Sequence, residues 1–175
     1  LYVFQRTPSS IDVRDQRETT KEEIATWSKE PGWARARRER LATISSGRTA
    51  LKGNDDFLSG QVADFKVRKK HAKELSPAAV MEKQLNTNFR IMEQIRARVD
   101  AVVEDPATAA ALKPYYPYGC KRPAFHDEFL SAFNLPHVTL VDTAPLGFSL
   151  INARGVVHAG EEYHLDVLVY ATGFQ

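Results

Sequence analysis

Lys121-Arg122-Pro123 sets two adjacent cations ahead of a proline, directly after Cys120, the only cysteine in a chain of 175 residues. Pro123 disfavours the α conformation for the residue before it, so Arg122 is expected to be extended. Neighbouring side chains in an extended segment point to opposite faces. Lys121 and Arg122 are therefore expected to serve two different sites, unless they are a pair of solvated cations. A second candidate, Arg6 with Thr7, ends the opening run Leu1-Tyr2-Val3-Phe4. In a dinucleotide fold the carboxyl end of the second strand lies beside the adenosine ribose. An acid there binds a free 2′-hydroxyl, and an arginine receives a 2′-phosphate. Arg6 can fork onto such a phosphate, with Thr7 adding a hydroxyl or a backbone N–H; the plainer reading is a strand that happens to end in arginine. The third candidate is the close of the chain, where Asp166 to Tyr170 runs into Ala171-Thr172-Gly173. An apolar strand ending in glycine brings backbone close to something that tolerates no side chain, as cofactors at strand carboxyl ends require. A core strand followed by a turn glycine explains it equally.

The elements that must position these residues are of two kinds. Leu1 to Phe4 reads as a buried strand halted by Pro8. Residues 9–113 turn polar, charged and mostly helical. A helix is expected within Asp15 to Lys29, with Thr20 and Glu23 as a capping box, broken by Pro31-Gly32. Trp33, Arg37, Leu41 and Ile44 then follow helical spacing. Asp56 to Leu75 is basic and helical in pattern, and Ser76-Pro77 looks like an N-cap with proline at the first helical position. Ile91, Met92, Ile95, Val99, Val102 and Val103 form one apolar stripe, and Asp105-Pro106 starts a short helix ended by Lys113-Pro114. Strand patterns return at Val138 to Asp142, Phe148 to Ile151, Gly155 to His158 and Glu161 to His164. Val167 to Tyr170, led by Asp166, reads as a strand buried on both faces. The layout predicts an α/β protein with a helical insertion.

Composition narrows the function. A net charge of +2 is too mild to imply nucleic acid. The basic runs over 33–40 and 66–73 lack interleaved stacking aromatics and read as solvated helix faces. One cysteine excludes an internal disulfide and a cysteine-based zinc site, which fits a reducing, cytoplasmic setting. The five histidines, at 71, 126, 137, 158 and 164, show no metal-ligand spacing, so no metal is expected. His126-Asp127-Glu128 is read as a helix start. No apolar run is long enough for a membrane span. The chain opens without Met on a strand and stops straight after an apolar run, as an internal fragment of a longer protein would.

Three segments together resemble the class B flavoprotein monooxygenases, and most closely the Baeyer–Villiger monooxygenases: LYVFQRTPSS at 1–10, YYPYGCKRPAFHDEFLSAFNLPHVTLVDT at 115–143 and DVLVYATGF at 166–174. QRTP and ATGF are shared widely among flavin-containing monooxygenases, whereas CKRP with the following FNLPHV points to the Baeyer–Villiger group. The resemblance implies FAD and NADP as cofactors, with Arg6, Thr7 and Lys121 on the NADP 2′-phosphate. It implies Arg122 as the catalytic arginine beside the flavin, and Thr172 and Gly173 near FAD. The implied fold is part of a Rossmann-like NADPH domain with a large helical insertion, leading back into an FAD-binding domain. Residues 1–8 would be the NADPH-domain strand, 9–113 the insertion, 114–145 the NADPH domain continued and 146–175 the return to the FAD domain. The implied reaction inserts one O2-derived oxygen beside a ketone carbonyl through a flavin C4a-peroxide, giving an ester or lactone. The expected partners are a small ketone and O2, and the oligomeric state is left open. The GxGxxG loops and the FxGxxxHxxxW run of the family are not in this sequence, so the segment by itself is expected to be inactive. Ala124 replaces a cysteine often found there. Two alternatives stand beside this reading: an N- or S-oxygenating flavin monooxygenase, and a non-catalytic basic helical module that binds acidic partners.

Overall fold

Two pairs of short parallel strands organise the part of the molecule that carries the candidate residues. In the computed structural model, residues 1–29, 31–45 and 76–171 are described. β1 (Tyr2–Gln5) runs parallel to β4 (Thr139–Asp142), with Tyr2 opposite Thr139 and Gln5 opposite Asp142. β2 (Ile11–Asp12) runs parallel to β3 (Ala124–Phe125), with Ile11 opposite Ala124. The second pairing is continued by Ala124 N–H donating to Ser10 O (2.9 Å) and His126 N–H to Asp12 O (2.9 Å). A three-stranded antiparallel meander follows: β5 (Leu150–Asn152), β6 (Gly155–His158) and β7 (Glu161–His164). Gly155 permits its first turn, because its φ of +152° is strained for other residues and a Cβ there would collide with the Tyr163 backbone.

The helices are α1 (Lys21–Trp27), α2 (Trp33–Ser45), α3 (Pro77–Val102) and α4 (Pro106–Leu112). Thr20 caps α1 in a complete capping box with Glu23, as the sequence pattern predicts. Gly32, at φ +83°, makes the break between α1 and α2. Trp27 and Trp33 stack across that break at 6.0 Å, and the Arg37 guanidinium lies 4.5 Å over the Trp27 ring. Ser76 caps α3 by accepting from Ala79 N–H (3.3 Å). Asp105 caps α4 by accepting from Thr108 N–H (2.7 Å), with proline inside the first turn.

By contact density the chain divides into two units: Leu1–Val13 with Ile95–Gln175, and Arg14–Gln94. The core of the first is built where the end of α3 meets α4 and the segment before β4. Val99, Val103, Ala109, Leu112, Leu130 and Phe133 are buried together, and Val3 and Leu140 of the parallel pair pack on them. The predicted stripe on α3 is real: Ile91, Met92, Ile95 and Val99 are almost fully buried. The second unit holds α1, α2 and most of α3.

Three local expectations are corrected. Asp166 to Tyr170 is not a strand, and Val167, Val169 and Tyr170 are exposed. An apolar run becomes a buried strand only when other strands take its backbone groups, and among the described residues none pairs with it. The opening strand is half-buried rather than buried: one strand flanks it, and Leu1 and Tyr2 are exposed. His126-Asp127-Glu128 is a turn, in which Glu128 N–H donates to His126 Nδ1 (3.1 Å), and a 3₁₀ turn forms only at Ser131–Asn134. The expected basic helix at Asp56 to Leu75, the whole 66–73 run, Thr172 and Gly173 lie outside the described residues.

Candidate functional site

The carboxyl end of the β1–β4 pair is where the chain leaves toward the first candidates. Gln5 is fixed there by three contacts. Its side-chain amide donates to Ala111 O at the end of α4 (3.0 Å), and its carbonyl accepts from both Thr143 N–H (2.7 Å) and Thr143 Oγ1 (3.1 Å). Thr143 is buried, so this double bond to one carbonyl sets the direction in which Arg6 departs. Arg6 is exposed and Thr7 half-buried. The chain then dives: Pro8, Ser10 and Ile11 are all buried.

The second candidate segment is bound to this one at both ends. Tyr116 is buried, and its hydroxyl donates to Pro8 O (2.8 Å) while accepting from Ser10 N–H (3.2 Å). Eight positions later β3 pairs with β2. Cys120 N–H closes a turn on Pro117 O (3.0 Å) between these anchors. Arg98, from α3, clips the far end: its guanidinium donates to Ile11 O (3.2 Å), His126 O (3.1 Å) and Asp127 O (3.3 Å). Lys121 and Arg122 thus sit on a short span stretched alongside the segment that carries Arg6 and Thr7.

The two cations differ in surroundings. The Lys121 ammonium lies 5.1 Å from the centroid of the Tyr116 ring, within reach of a cation–π attraction. Arg122 is exposed and has no such contact. Neither they nor Arg6 are engaged by a carboxylate among the described residues. Unpaired cations beside a strand carboxyl end, with Thr7 adjacent, suit the charge of a phosphate. Tyr118, on the same span, is partly buried, and that burial together with the negative charge of Asp12 pushes its hydroxyl up to about 12. It stays a neutral phenol throughout the physiological range.

The first two candidate positions of the sequence, Arg6-Thr7 and Lys121-Arg122, are therefore carried on mutually bonded segments. Thr172 and Gly173 are outside the described residues. Three contributors escape a motif search. Tyr116 is flagged only by its place in the Tyr115-Tyr116-Pro117 run, Arg98 only as a cation near a buried stripe, and Thr143 not at all. Among the described residues no cluster of His, Cys, Asp or Glu could hold a metal, and no helix is long and apolar enough to cross a membrane.

Comparison with known proteins agrees with this architecture. No protein-family profile matches the chain. A Baeyer–Villiger monooxygenase of Stachybotrys chlorohalonatus is 44% identical over 185 aligned residues, covering 100% of this chain and 28% of that protein. The polycyclic ketone monooxygenase of the thermophilic fungus Thermothelomyces thermophila superposes with a TM-score of 0.74 at 38% identity, over 99% of this chain and 29% of that one. The crystal structure of OTEMO in complex with FAD and NADP shares the fold, with a TM-score of 0.65 at 23% identity over 99% of this chain and 33% of that one. The fold is mixed α/β, of the kind these monooxygenases contain. The chain is homologous, over its whole length, to one segment of the Baeyer–Villiger monooxygenases, and it spans about 30% of the length of the relatives it matches.

Proposed function

We propose that this chain is the part of an FAD- and NADPH-dependent Baeyer–Villiger monooxygenase that grips the nicotinamide coenzyme and supplies the catalytic arginine. The observation that carries the reading is the 44% identity, over the whole chain, to an enzyme of that name. The reading places β1 and β4 in a Rossmann-like NADPH domain, with 1–8 and 114–145 as its parts, 9–113 as a helical insertion and 146–175 leading back to an FAD domain. Arg6, Thr7 and Lys121 bind and orient the 2′-phosphate of NADP, and Thr172 and Gly173 lie near FAD. When bound, FAD and NADPH supply the redox chemistry that activates O2.

Arg122 has a different task. It holds a fixed positive charge where negative charge develops on oxygen as a ketone is converted to an ester or lactone. Such preorganised charge acts most strongly in a site shielded from water. That no carboxylate among the described residues engages it supports the assignment, because a paired arginine would have its charge already spent. The substrate class is a ketone, as in the name of the polycyclic ketone relative, with O2 as the second substrate in a cytoplasmic setting.

In the full-length protein, Arg122→Ala should leave NADPH reduction of the flavin intact, followed by bleaching of the oxidised flavin spectrum. Ester formation, followed by gas chromatography, should fall on the order of 10²- to 10³-fold. Undiminished ester formation would remove Arg122 from the reaction.

A further inference from the structure

We infer that Tyr116 is a positioning residue that sets the preference for a 2′-phosphorylated coenzyme, by holding Lys121 and the Arg6–Thr7 segment in one register. The inference rests on the assignment of Arg6, Thr7 and Lys121 to the 2′-phosphate.

Tyr116 touches both halves of the site. Its hydroxyl donates to Pro8 O at 2.8 Å and accepts from Ser10 N–H at 3.2 Å, so it grips the backbone just after Thr7. Its ring face lies 5.1 Å from the Lys121 ammonium. The ring is buried, and its hydroxyl already has a donor and an acceptor, so it has nothing left to offer a ligand directly. It acts through its neighbours. A lysine loses much rotamer freedom when it is held for a ligand; a ring beneath the ammonium narrows that freedom beforehand and lowers the cost of binding. The same ring is bonded to the segment carrying the other cation. A shift of either half is therefore transmitted to the spacing of the two charges, and a phosphate held by both is sensitive to that spacing. A coenzyme lacking the 2′-phosphate has no use for it.

The two functions of Tyr116 separate by substitution. Tyr116→Phe keeps the ring under Lys121 and deletes both hydroxyl bonds, and Tyr116→Leu deletes the ring face as well. In the full-length holoprotein, Tyr116→Phe should reduce the NADPH-to-NADH ratio of kcat/KM by about 2- to 10-fold, through KM for NADPH, with NADH kinetics unchanged. Tyr116→Leu should lower the ratio by a further factor of about 2 to 5. That further factor should vanish in a Lys121→Ala background. Titration with adenosine 2′,5′-bisphosphate against 5′-AMP, without turnover, should reproduce the same losses as a ratio of dissociation constants.

Equal losses with NADPH and NADH, or an unchanged ratio in Tyr116→Phe, overturn the inference while leaving the phosphate assignment in place. A Leu/Phe difference that persists without Lys121 overturns the ring contact. Should Lys121→Ala itself leave the ratio intact, the phosphate assignment fails and the inference falls with it. Tyr116→Phe preserves the buried ring, so it decides the matter even if Tyr116→Leu does not fold.

Discussion

Replacing Arg98 by methionine would unclip the span that carries Lys121 and Arg122 while keeping most of the buried stem. The guanidinium donates to three carbonyls: Ile11 O in a part-buried place, and His126 O and Asp127 O at the surface. The part-buried bond is worth about 1 kcal/mol net, and the surface bonds about half that each, because water replaces them. The sum is about 2 kcal/mol, or roughly a 30-fold change in a local opening equilibrium. The affected bonds are the amides of Ala124 and His126, which close the β2–β3 pairing on Ser10 O and Asp12 O. Hydrogen exchange followed by mass spectrometry on the full-length protein should show loss of protection by about that factor across Ala124–His126. Peptides covering β4 should be unaffected, because Arg98 bonds nothing there. If exchange at Ala124 and His126 changed less than twofold, or if β4 lost protection equally, Arg98 would not be a local clip.

Other outcomes follow from the same contacts. Leu130→Ala removes a side chain that is 1% exposed at the centre of the core; it should cost about 2–5 kcal/mol in a denaturant melt. Gly155→Ala must place a Cβ against the Tyr163 backbone at a φ of +152°. It should destabilise the meander by about 1–3 kcal/mol or more, read as a lower melting temperature. The Glu23 carboxyl is lowered to about 2, first by its hydrogen bond with Arg17 and then by the Thr20 backbone N–H. Because the folded value lies below the unfolded one, its contribution to capping α1 is complete above about pH 4.5 and disappears as pH falls through about 2. A carbon-detected titration of Glu23 should show this midpoint, and Arg17→Met should return it toward the ordinary carboxylate range.

Local signals are legible in the sequence where they are short-ranged in origin. The Thr20–Glu23 capping box, the Asp105-Pro106 helix start, the stripe on α3 and the limits of β6 and β7 all emerge at the expected residues. These depend on neighbours within a few positions, which is the range that periodicity and capping patterns encode. The failures are non-local. Asp166 to Tyr170 has strand composition, yet composition cannot supply a pairing partner. Of the site, Arg6-Thr7 and Lys121-Arg122 were legible as residue types before a strand end and a proline. The bonds that bring them together, through Tyr116 and Arg98, join residues far apart in the chain and leave no periodic trace.

The bonds made by the Tyr116 hydroxyl bridge 106 and 108 positions of sequence. Closing so long a loop costs entropy, but that cost grows only logarithmically, by about 0.6 kcal/mol for each doubling of length. The helical unit, Arg14–Gln94, lies wholly inside that loop. A change in the length of that loop therefore alters the closure entropy felt by the cradle at its two ends only slightly. The cation-bearing segments are confined by their own hydrogen bonds, so the length of the chain between them weighs little on their closure, while its buried residues Val99, Ala109 and Leu112 stay tied to the core.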